Sequence, residues 1–286
     1  MKIREFNLFH KVTLSIIILW LLLFALIPNL IMFVVSFMEY DSSSFIRAVL
    51  TFENYEKFFT GAYFKIFLNS FKIAAIATVI CLVLGYPFAY ILARSNSKYK
   101  GLLALLVVIP YWTSALIRTY AISYLLSANG LINTLLIKIG IIDAPLSLLY
   151  TEGAVILGFV YTLLPFMILP LYATIEKFDF RYIEAAQDLG ASKIKTFYHI
   201  IIPLTTPGII AGVVLVFLPA LGLFYISSLL GGKVIMVSNI IYEQFTSNVI
   251  QNWPLGSAAS VLITVVMAIM IAAYYISSKK MQTKVL

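Results

Sequence analysis

Long apolar stretches dominate the chain, and short polar segments separate them. A helix rises about 1.5 Å per residue, so a stretch of about 20 apolar residues can cross roughly 30 Å of hydrocarbon. Six stretches meet this length, at residues 12–37, 66–93, 102–126, 154–175, 204–229 and 257–276. In lipid, the backbone N–H and C=O groups of a spanning segment must hydrogen-bond to one another, which a helix allows. The pattern therefore predicts an all-α integral membrane protein with six transmembrane helices.

Two shorter apolar segments, residues 131–142 and 234–250, are interrupted by polar residues and predict interfacial or re-entrant helices. The interrupting residues are Asn133, Lys138, Gly140, Asn239, Glu243 and Asn248. No low-complexity tract or Gly/Ser linker divides the chain, and its loops are too short to fold alone. We therefore expect a single transmembrane domain over residues 1–286.

The basic residues are distributed unevenly over the predicted loops. Cytoplasmic loops of membrane proteins are enriched in Lys and Arg. One side carries Lys2, Arg4, Lys11, Arg94, Lys98, Lys100, Lys177, Arg181, Lys193, Lys195, Lys279, Lys280 and Lys284. This side is predicted to be cytoplasmic, with both termini, and the first span is predicted to remain as an uncleaved anchor. Membrane orientation thus explains the net charge of +8, and no nucleic-acid partner is expected.

Composition argues against a soluble catalytic domain. Hydrophobic residues make up 62% of the chain and charged residues 11%, whereas soluble domains carry roughly 25% charged residues. The single cysteine, Cys81, excludes an intrachain disulfide. His10 and His199 have no metal-ligand partners at useful spacing, and Gly231-Gly232-Lys233 lacks the other residues of a phosphate-binding loop. We expect no metal, no cofactor and no enzyme activity, with ATP bound by another chain.

The fourth loop, residues 176–203, predicts two short amphipathic helices that meet at a glycine corner. We call this segment the elbow. Asp179 is a plausible N-cap of its first helix, Gly190 suits a left-handed C-terminal position, and Ser192 can cap the second helix. Ile194, Phe197 and Ile201 are expected to share a face of that second helix. The elbow is typical of a docking segment, although periodicity alone also fits a solvated connector.

The elbow carries a motif of Glu-Ala-Ala, three residues, Gly, nine residues, Ile, one residue and Leu-Pro. It has Glu184-Ala185-Ala186, Gly190, Ile200 and Pro203 at these spacings, with Ile202 in place of Leu. In this it resembles the inner-membrane permease subunits of binding-protein-dependent ABC importers. The resemblance implies the type I ABC importer permease fold, in which a cytoplasmic coupling helix enters a cleft of the ATPase subunit. It assigns ATPase coupling to Glu184, Ala185, Ala186, Asp188, Gly190 and Ser192.

Over nearly its whole length the chain resembles the first permease subunit of spermidine/putrescine importers. The supporting segments are residues 84–90, 110–118, 163–167, 170–172, 184–192, 207–212 and 219–225. The resemblance implies a bacterial inner-membrane location, a second homologous permease, two ATP-binding subunits, an extracytoplasmic polyamine-binding protein and a polyamine substrate. Ser227-Ser228 departs from the family, which usually shows an acidic residue there.

Two cations fall inside predicted spans, where an ionisable group costs about 2.5 kcal/mol or more. Lys72 suggests snorkelling or a helix-interface contact, whereas Arg118 suggests either a structural partner or a gating role. No Asp or Glu lies inside the predicted spans, so aromatic faces would have to attract a polyamine. The candidate path residues are Tyr111, Trp112, Tyr161, Phe166, Phe224 and Tyr225, for each of which ordinary packing is the alternative.

The opposite side carries Asp143, Glu152 and Glu243, which are either receptor or cation contacts or solvated loop charges. Trp253 begins the sixth span as an interface anchor. Two alternatives to a polyamine importer remain. One is an importer of the same class for another organic amine or small solute. The other is a chain working alone, as a channel or an intramembrane enzyme, although the spans show no catalytic constellation.

Overall fold

A computed structural model describes residues 8–43, 45–95, 97–247, 249 and 251–285. These residues are mostly helical, and six of their helical runs are long and apolar enough to cross a membrane. The predicted class, an all-α membrane protein with six spans, is thereby confirmed. Two compact units make up the chain, one of Met1–Phe64 with Ile240–Val265 and one of Lys65–Asn239 with Val266–Leu286. The single domain expected from the sequence stays a prediction.

The α-helices of the described residues fall into three groups along the chain. The first group is Leu8–Leu21 (α1), Ile27–Val35 (α2) and Glu53–Phe59 (α3), with a π-helical turn at Leu22–Leu26. The second is Ala62–Arg94 (α4), Ser97–Val108 (α5), Ala115–Leu126 (α6), Leu131–Lys138 (α7) and Glu152–Ile175 (α8). The third is Arg181–Asp188 (α9), Lys193–Thr196 (α10), Ile202–Gly222 (α11), Phe224–Leu230 (α12), Val237–Thr246 (α13) and Trp253–Val285 (α14).

The third predicted span, residues 102–126, is not one helix in the structure. A 3₁₀ turn at Ile109–Trp112 follows α5, and Thr113 has extended backbone before α6 begins. Pro110 contributes to the break because it has no N–H to donate and its ring crowds the preceding turn. By length and hydropathy the corresponding candidate span is Ala115–Lys138, which combines α6 with α7.

The fifth predicted span, residues 204–229, is also interrupted. Its helix α11 ends at Gly222, and Leu223 adopts φ −80° and ψ 76° before α12 begins. The short segment predicted at 234–250 contains α13, whereas Asn248 and Ile250 lie outside the described residues. The N-terminal cations Lys2 and Arg4 also lie outside them.

The first unit contains a small antiparallel sheet that apolar length did not predict. Strand Met38–Glu39 (β1) pairs with Arg47–Leu50 (β2). Beside it, the buried Asn54 donates from Nδ2 to the carbonyls of Ser36 at 3.1 Å and Met38 at 2.8 Å. These bonds attach α3 to the chain that follows α2.

The core of the second unit forms around α8. Phe159, Leu163, Met167 and Leu171 recur every fourth residue and are each at most 1% exposed. Side chains four residues apart lie one above another on a helix, so these four form a continuous buried stripe. Helix α8 is thus surrounded by protein over much of its length.

Helix α11 approaches α8 closely because it presents two glycines, Gly208 and Gly212. A Cβ atom at Gly208 would lie 2.9 Å from the carbonyl oxygen of Pro170, and one at Gly212 would lie 2.5 Å from the sulfur of Met167. The Gly-x-x-x-Gly spacing places both glycines on one helix face, which lets membrane helices approach backbone to backbone. The two helices that flank the elbow are therefore joined by a tight contact.

Candidate functional site

The first helix of the elbow, α9, ends in a fully hydrogen-bonded cap. Gly190 has φ +82°, and its N–H donates to the carbonyl of Gln187 at 2.9 Å. The N–H of Ala191 donates to the carbonyl of Ala186, also at 2.9 Å. This pair of bonds is the Schellman motif, in which a left-handed residue satisfies the last carbonyls of a helix. The left-handed position predicted for Gly190 is present.

The start of α9 differs from the prediction by one residue. Phe180, not Asp179, occupies the N-cap position and makes no side-chain cap bond. Asp179 instead accepts from the backbone N–H of Arg181 at 3.1 Å and pairs with its guanidinium at 2.6 Å. The Arg181 guanidinium, followed by its backbone N–H, lowers the pKa of the Asp179 carboxyl. The carboxylate thus fixes the first turn from outside the helix.

The second helix of the elbow begins at Ser192, as predicted. Its hydroxyl oxygen accepts from the N–H of Lys195 at 3.4 Å. After α10, a π-helical turn at Phe197–Ile201 leads into α11. Pro203 has no N–H for the carbonyl four residues earlier, and such a missing bond favours a local change of helix register.

The shared face expected for Ile194, Phe197 and Ile201 is not observed. Ile194 is 72% exposed, Phe197 is half-buried and Ile201 is 5% exposed. The π-helical turn explains the difference, because its wider turn rotates the following residues relative to α10. Of these three residues, Phe197 and Ile201, which lie in the turn, pack on the core.

The elbow has an inner and an outer face. Ala186 is buried and Ile183 half-buried, so this side of α9 packs on the second unit. The other side exposes four of the residues to which the family resemblance assigns coupling, namely Glu184, Ala185, Asp188 and Ser192. Leu189 is 90% exposed at the corner. A charged helix face with small residues and exposed apolar side chains is suited to docking on another protein.

Two of the candidate path residues lie close to one charge, and a third packs against one of them. The Arg118 guanidinium carbon is 4.9 Å from the centroid of the Tyr111 ring, and that ring meets Phe166 edge to face at 4.8 Å. The Tyr111 hydroxyl donates to the carbonyl of Thr162 at 2.7 Å. Tyr225 is near enough for its hydroxyl to interact electrostatically with Arg118. Arg118, a cation of the protein itself, thus lies over Tyr111 and within electrostatic range of Tyr225, and Phe166 packs against Tyr111.

The other candidate path residues are arranged differently. Phe224 is half-buried next to Tyr225, with ring centroids 6.3 Å apart. Trp112 is 77% exposed and Tyr161 is 49% exposed, and neither joins the aromatic group around Arg118 in the described contacts. The sequence predicted all six residues as parts of one path, whereas the structure brings only some of them together.

Asn239 holds the segment that carries Phe224, a role that the sequence did not suggest. Its Oδ1 accepts from the Ser227 hydroxyl at 2.6 Å and from the N–H of Met236 at 3.0 Å. Its Nδ2 donates to the Ser228 hydroxyl at 2.7 Å and the Phe224 carbonyl at 3.2 Å. The serines at the family's usual acidic position therefore bind Asn239. A lone Asn in an apolar segment was the available signal.

Lys72 of α4 and Glu152 of α8 form an ion pair, with Nζ and Oε2 3.0 Å apart. A cavity of about 290 Å³ next to it is lined by Glu152, Lys65, Asn69 and Lys233. The structural contact predicted for Lys72 is therefore present. Its partner, Glu152, is one of the acids predicted for the side opposite the basic loops. Among the described residues, no His, Cys, Asp or Glu cluster is placed to hold a metal ion.

Residues 85–283 match the family of binding-protein-dependent transport system inner membrane components, and the chain belongs to that family. It is a multi-pass inner-membrane transport protein. It is 50% identical over 280 residues to the spermidine/putrescine transport system permease protein PotB of Haemophilus influenzae, covering 98% of this chain and 97% of that protein. It is 48% identical over 267 residues to PotB of Escherichia coli, covering 93% and 96%.

Two solved structures have the same fold. One is a bacterial ABC transporter involved in the import of the acidic polysaccharide alginate, with a TM-score of 0.72 at 18% identity and 94% coverage of both chains. The other is a bacterial alginate ABC transporter in complex with an alginate pentasaccharide-bound periplasmic protein, with a TM-score of 0.73 at 19% identity. It covers 94% of this chain and 93% of that one. The ABC importer permease fold expected from the sequence is thereby confirmed.

Proposed function

We propose that this chain is a permease subunit of an ATP-driven ABC importer that carries spermidine and putrescine across the bacterial inner membrane. The elbow is the observation that carries the proposal, because it presents the family's signature residues on an exposed, doubly capped helical corner. The 50% identity to a spermidine/putrescine permease supports the substrate. The fold leaves the substrate open, since an alginate transporter has it too.

The partners in this proposal are a second homologous permease, two ATP-binding subunits and an extracytoplasmic polyamine-binding protein. Membership of a binding-protein-dependent family supports the last of these. ATP would be hydrolysed by the ATP-binding subunits, and this chain would contribute the passage through the membrane. Tight recognition of the polyamine would take place at the binding protein, so the passage itself needs only weak contacts.

The elbow faces the cytoplasm in this proposal, and both termini lie on the same side. The excess of Lys and Arg around the elbow and in the loop after α4 supports this orientation, because cytoplasmic loops retain basic residues. The pair of Lys72 and Glu152 then lies toward the extracytoplasmic side, at the first residue of α8 and in the first third of α4.

Coupling would occur through the exposed face of α9. Glu184 and Asp188 offer charge, and Ala185 leaves room for close approach of an ATPase surface. Both elbow helices are hydrogen-bonded at the corner, so the elbow can move as one body when the ATPase subunits close. Movement of that body would alternate access between the two sides of the membrane.

The route for the substrate would run along the aromatic side chains near Arg118. An aromatic face attracts an ammonium group with roughly 0.5–2 kcal/mol per contact. In this structure Arg118 occupies the face of Tyr111. A polyamine would therefore contact the face of Tyr111 only after the guanidinium moves.

The test is uptake of labelled spermidine into vesicles that contain the assembled importer and its binding protein. Uptake is expected to require ATP and this chain, and Glu184→Lys is expected to abolish it while the complex still assembles. Lys177→Glu is the matched control, since it reverses an exposed charge in the same loop outside the signature. Full uptake by the Glu184→Lys complex would refute the coupling role. ATP hydrolysis stimulated by another solute but not by spermidine would refute the substrate.

A further inference from the structure

A cavity of about 440 Å³ in the second unit lies between the C-terminal end of α4 and the elbow. Its polar lining includes Arg94, Tyr90, Gln187 and Lys193. No carboxylate of the described residues lines it. Both ionised groups at this cavity are therefore positive.

The two cations of this cavity lack the ion pairs that nearby cations make. Lys100 lies 3.9 Å from Glu176, and the Arg181 guanidinium lies 2.6 Å from Asp179. In the part of the chain that the structure describes, neither Arg94 nor Lys193 has a carboxylate oxygen within 4.0 Å.

Aromatic rings hold the Arg94 guanidinium in place. Its carbon lies 5.4 Å from the Phe180 ring centroid and 5.8 Å from that of Tyr90. Its Nη1 lies 3.4 Å from the Tyr90 hydroxyl oxygen, to which it donates. Cation–π contacts orient a guanidinium but leave it charged, with N–H groups available for an anion.

The rest of the cavity is apolar and lies at a membrane boundary. Pro87, Ile183, Phe197 and Ile201 contribute to its wall. Arg94 is the last residue of one candidate span, and Lys193 is the first residue of another. An apolar wall with a cationic rim at this depth matches a molecule with an anionic head and a hydrocarbon chain.

We infer that this cavity binds a phosphate-bearing anion, supplied by an acidic phospholipid such as phosphatidylglycerol. The phosphate lies between Arg94 and Lys193, and an acyl chain follows Pro87 and Phe197. Basic pockets between transmembrane helices on the cytoplasmic side bind acidic lipid head groups in this way. The inference rests on the proposed function only for the cytoplasmic orientation of the elbow. A lipid in this position contacts α4 and the elbow at the same time.

The experiment is native mass spectrometry of the full chain purified in detergent and titrated with phosphatidylglycerol or phosphatidylcholine. The full chain is expected to retain phosphatidylglycerol in preference to phosphatidylcholine. Arg94→Gln/Lys193→Gln is expected to weaken that retention roughly tenfold or more, because each basic residue contributes on the order of 1 kcal/mol to binding anionic lipid. Lys98→Gln/Lys177→Gln removes the same charge from the same predicted side and is expected to have little effect. Arg94→Lys/Lys193→Arg, which retains both charges, is expected to keep binding and also reports on folding.

Two further measurements test competition by inorganic phosphate and copurification with the ATP-binding subunit. Competition by millimolar phosphate would support an anion site and assign it to the free ion. Equal phosphatidylglycerol retention by the Arg94→Gln/Lys193→Gln variant and its control would overturn the inference. So would a variant that keeps the lipid but no longer copurifies with the ATP-binding subunit, since the two cations would then serve that partner. Retention requires neither ATP nor transport, so this result is independent of the polyamine assignment.

Discussion

The guanidinium of Arg118 lies over the ring of Tyr111, 4.9 Å from its centroid. Arg118 is 9% exposed, and its Nε has no hydrogen-bond partner among the described residues. The aromatic ring is therefore a principal neighbour of a buried charge. This arrangement joins the break after α5 to the first turn of α6.

A double-mutant cycle on this pair should give a coupling free energy of roughly 0.5–2 kcal/mol, the range of cation–π contacts. The variants are Arg118→Met, Tyr111→Leu and the double variant, compared by thermal unfolding of the full chain in detergent. Tyr111→Phe is the control, because it keeps the ring and removes only the hydroxyl that donates to the Thr162 carbonyl. Additive effects of Arg118→Met and Tyr111→Leu would show that the ring does not stabilise the charge.

Gly190→Val should destabilise the elbow by about 1–2 kcal/mol, whereas Gly190→Asn should cost less. Gly190 has φ +82°, and a Cβ at this position would meet no atom within 4 Å, so backbone conformation alone decides the effect. A β-branched residue disfavours this conformation, and Asn tolerates it. Hydrogen exchange of the α9 amides measures the local stability, and spermidine uptake should fall further in the Val variant. Equal protection in both variants would contradict this explanation.

Gly208→Ala should destabilise the chain more than Gly212→Ala. At Gly208 the new methyl would lie 2.6 Å from Oγ1 and 2.8 Å from Cβ of Thr174, and 2.9 Å from the backbone oxygen of Pro170, which cannot move alone. At Gly212 its nearest neighbour would be the sulfur of Met167, at the flexible part of a side chain. Overpacking of this kind costs about 1–3 kcal/mol.

Gly101→Ala is the control for these two changes, since nothing lies within 4 Å of a Cβ there. It lies in α5 and should be neutral or stabilising by up to about 1 kcal/mol, because Ala favours helix over Gly. Thermal unfolding in detergent compares all three variants. A larger loss at Gly212 than at Gly208 would contradict the proposed contact.

The pair of Lys72 and Glu152 should contribute about 0.2–1 kcal/mol, the range of exposed ion pairs, because both side chains are about half exposed. Lys72→Glu should lower the unfolding temperature, and Lys72→Glu/Glu152→Lys should recover most of the loss. The difference should shrink as salt rises from 0.05 to about 0.5 M, where screening acts over a few ångströms. No recovery in the exchanged pair would show that the contact does not stabilise this end of α4 and α8.

Asp179 should give the start of α9 a dependence on acid pH. Its pKa is lowered by Arg181, so its stabilising effect is complete above the ordinary carboxyl pKa of about 4 and is lost as the pH falls below that value. Hydrogen-exchange protection of α9, corrected for intrinsic rates, should differ between the native chain and Asp179→Asn at pH 6. The difference should shrink progressively as the pH falls below the ordinary carboxyl pKa of about 4. A difference that does not change with acid pH would mean that the carboxylate charge is not its cause.

Apolar length and capping residues allowed much of the fold to be predicted. Residues 154–175 were predicted as a span, and the structure has a helix over Glu152–Ile175, because one uninterrupted apolar run determines it. The corner at Gly190 could be predicted because glycine is the residue that adopts left-handed backbone without strain. The N-cap role of Ser192 could be predicted because hydroxyl side chains are preferred at the N-cap position of helices.

The break at Ile109–Trp112 could not be predicted, because hydropathy stays high there and proline is not a sufficient signal. Pro87, Pro165 and Pro170 all lie inside unbroken helices. The contact between Arg118 and Tyr111 depends on this break. Two residues seven positions apart in a straight helix lie two turns apart. For this reason, the sequence did not predict a contact between Arg118 and Tyr111.

The close approach of α11 to α8 at Gly208 and Gly212 has a mechanical consequence for the elbow that these two helices flank. Helices in backbone contact cannot slide past one another in small steps, because close-packed surfaces change between discrete arrangements. A displacement of the elbow is therefore expected to move α8 and α11 together, and neither helix is expected to move alone. The glycine contact thus makes the elbow and its two flanking helices one mechanical unit.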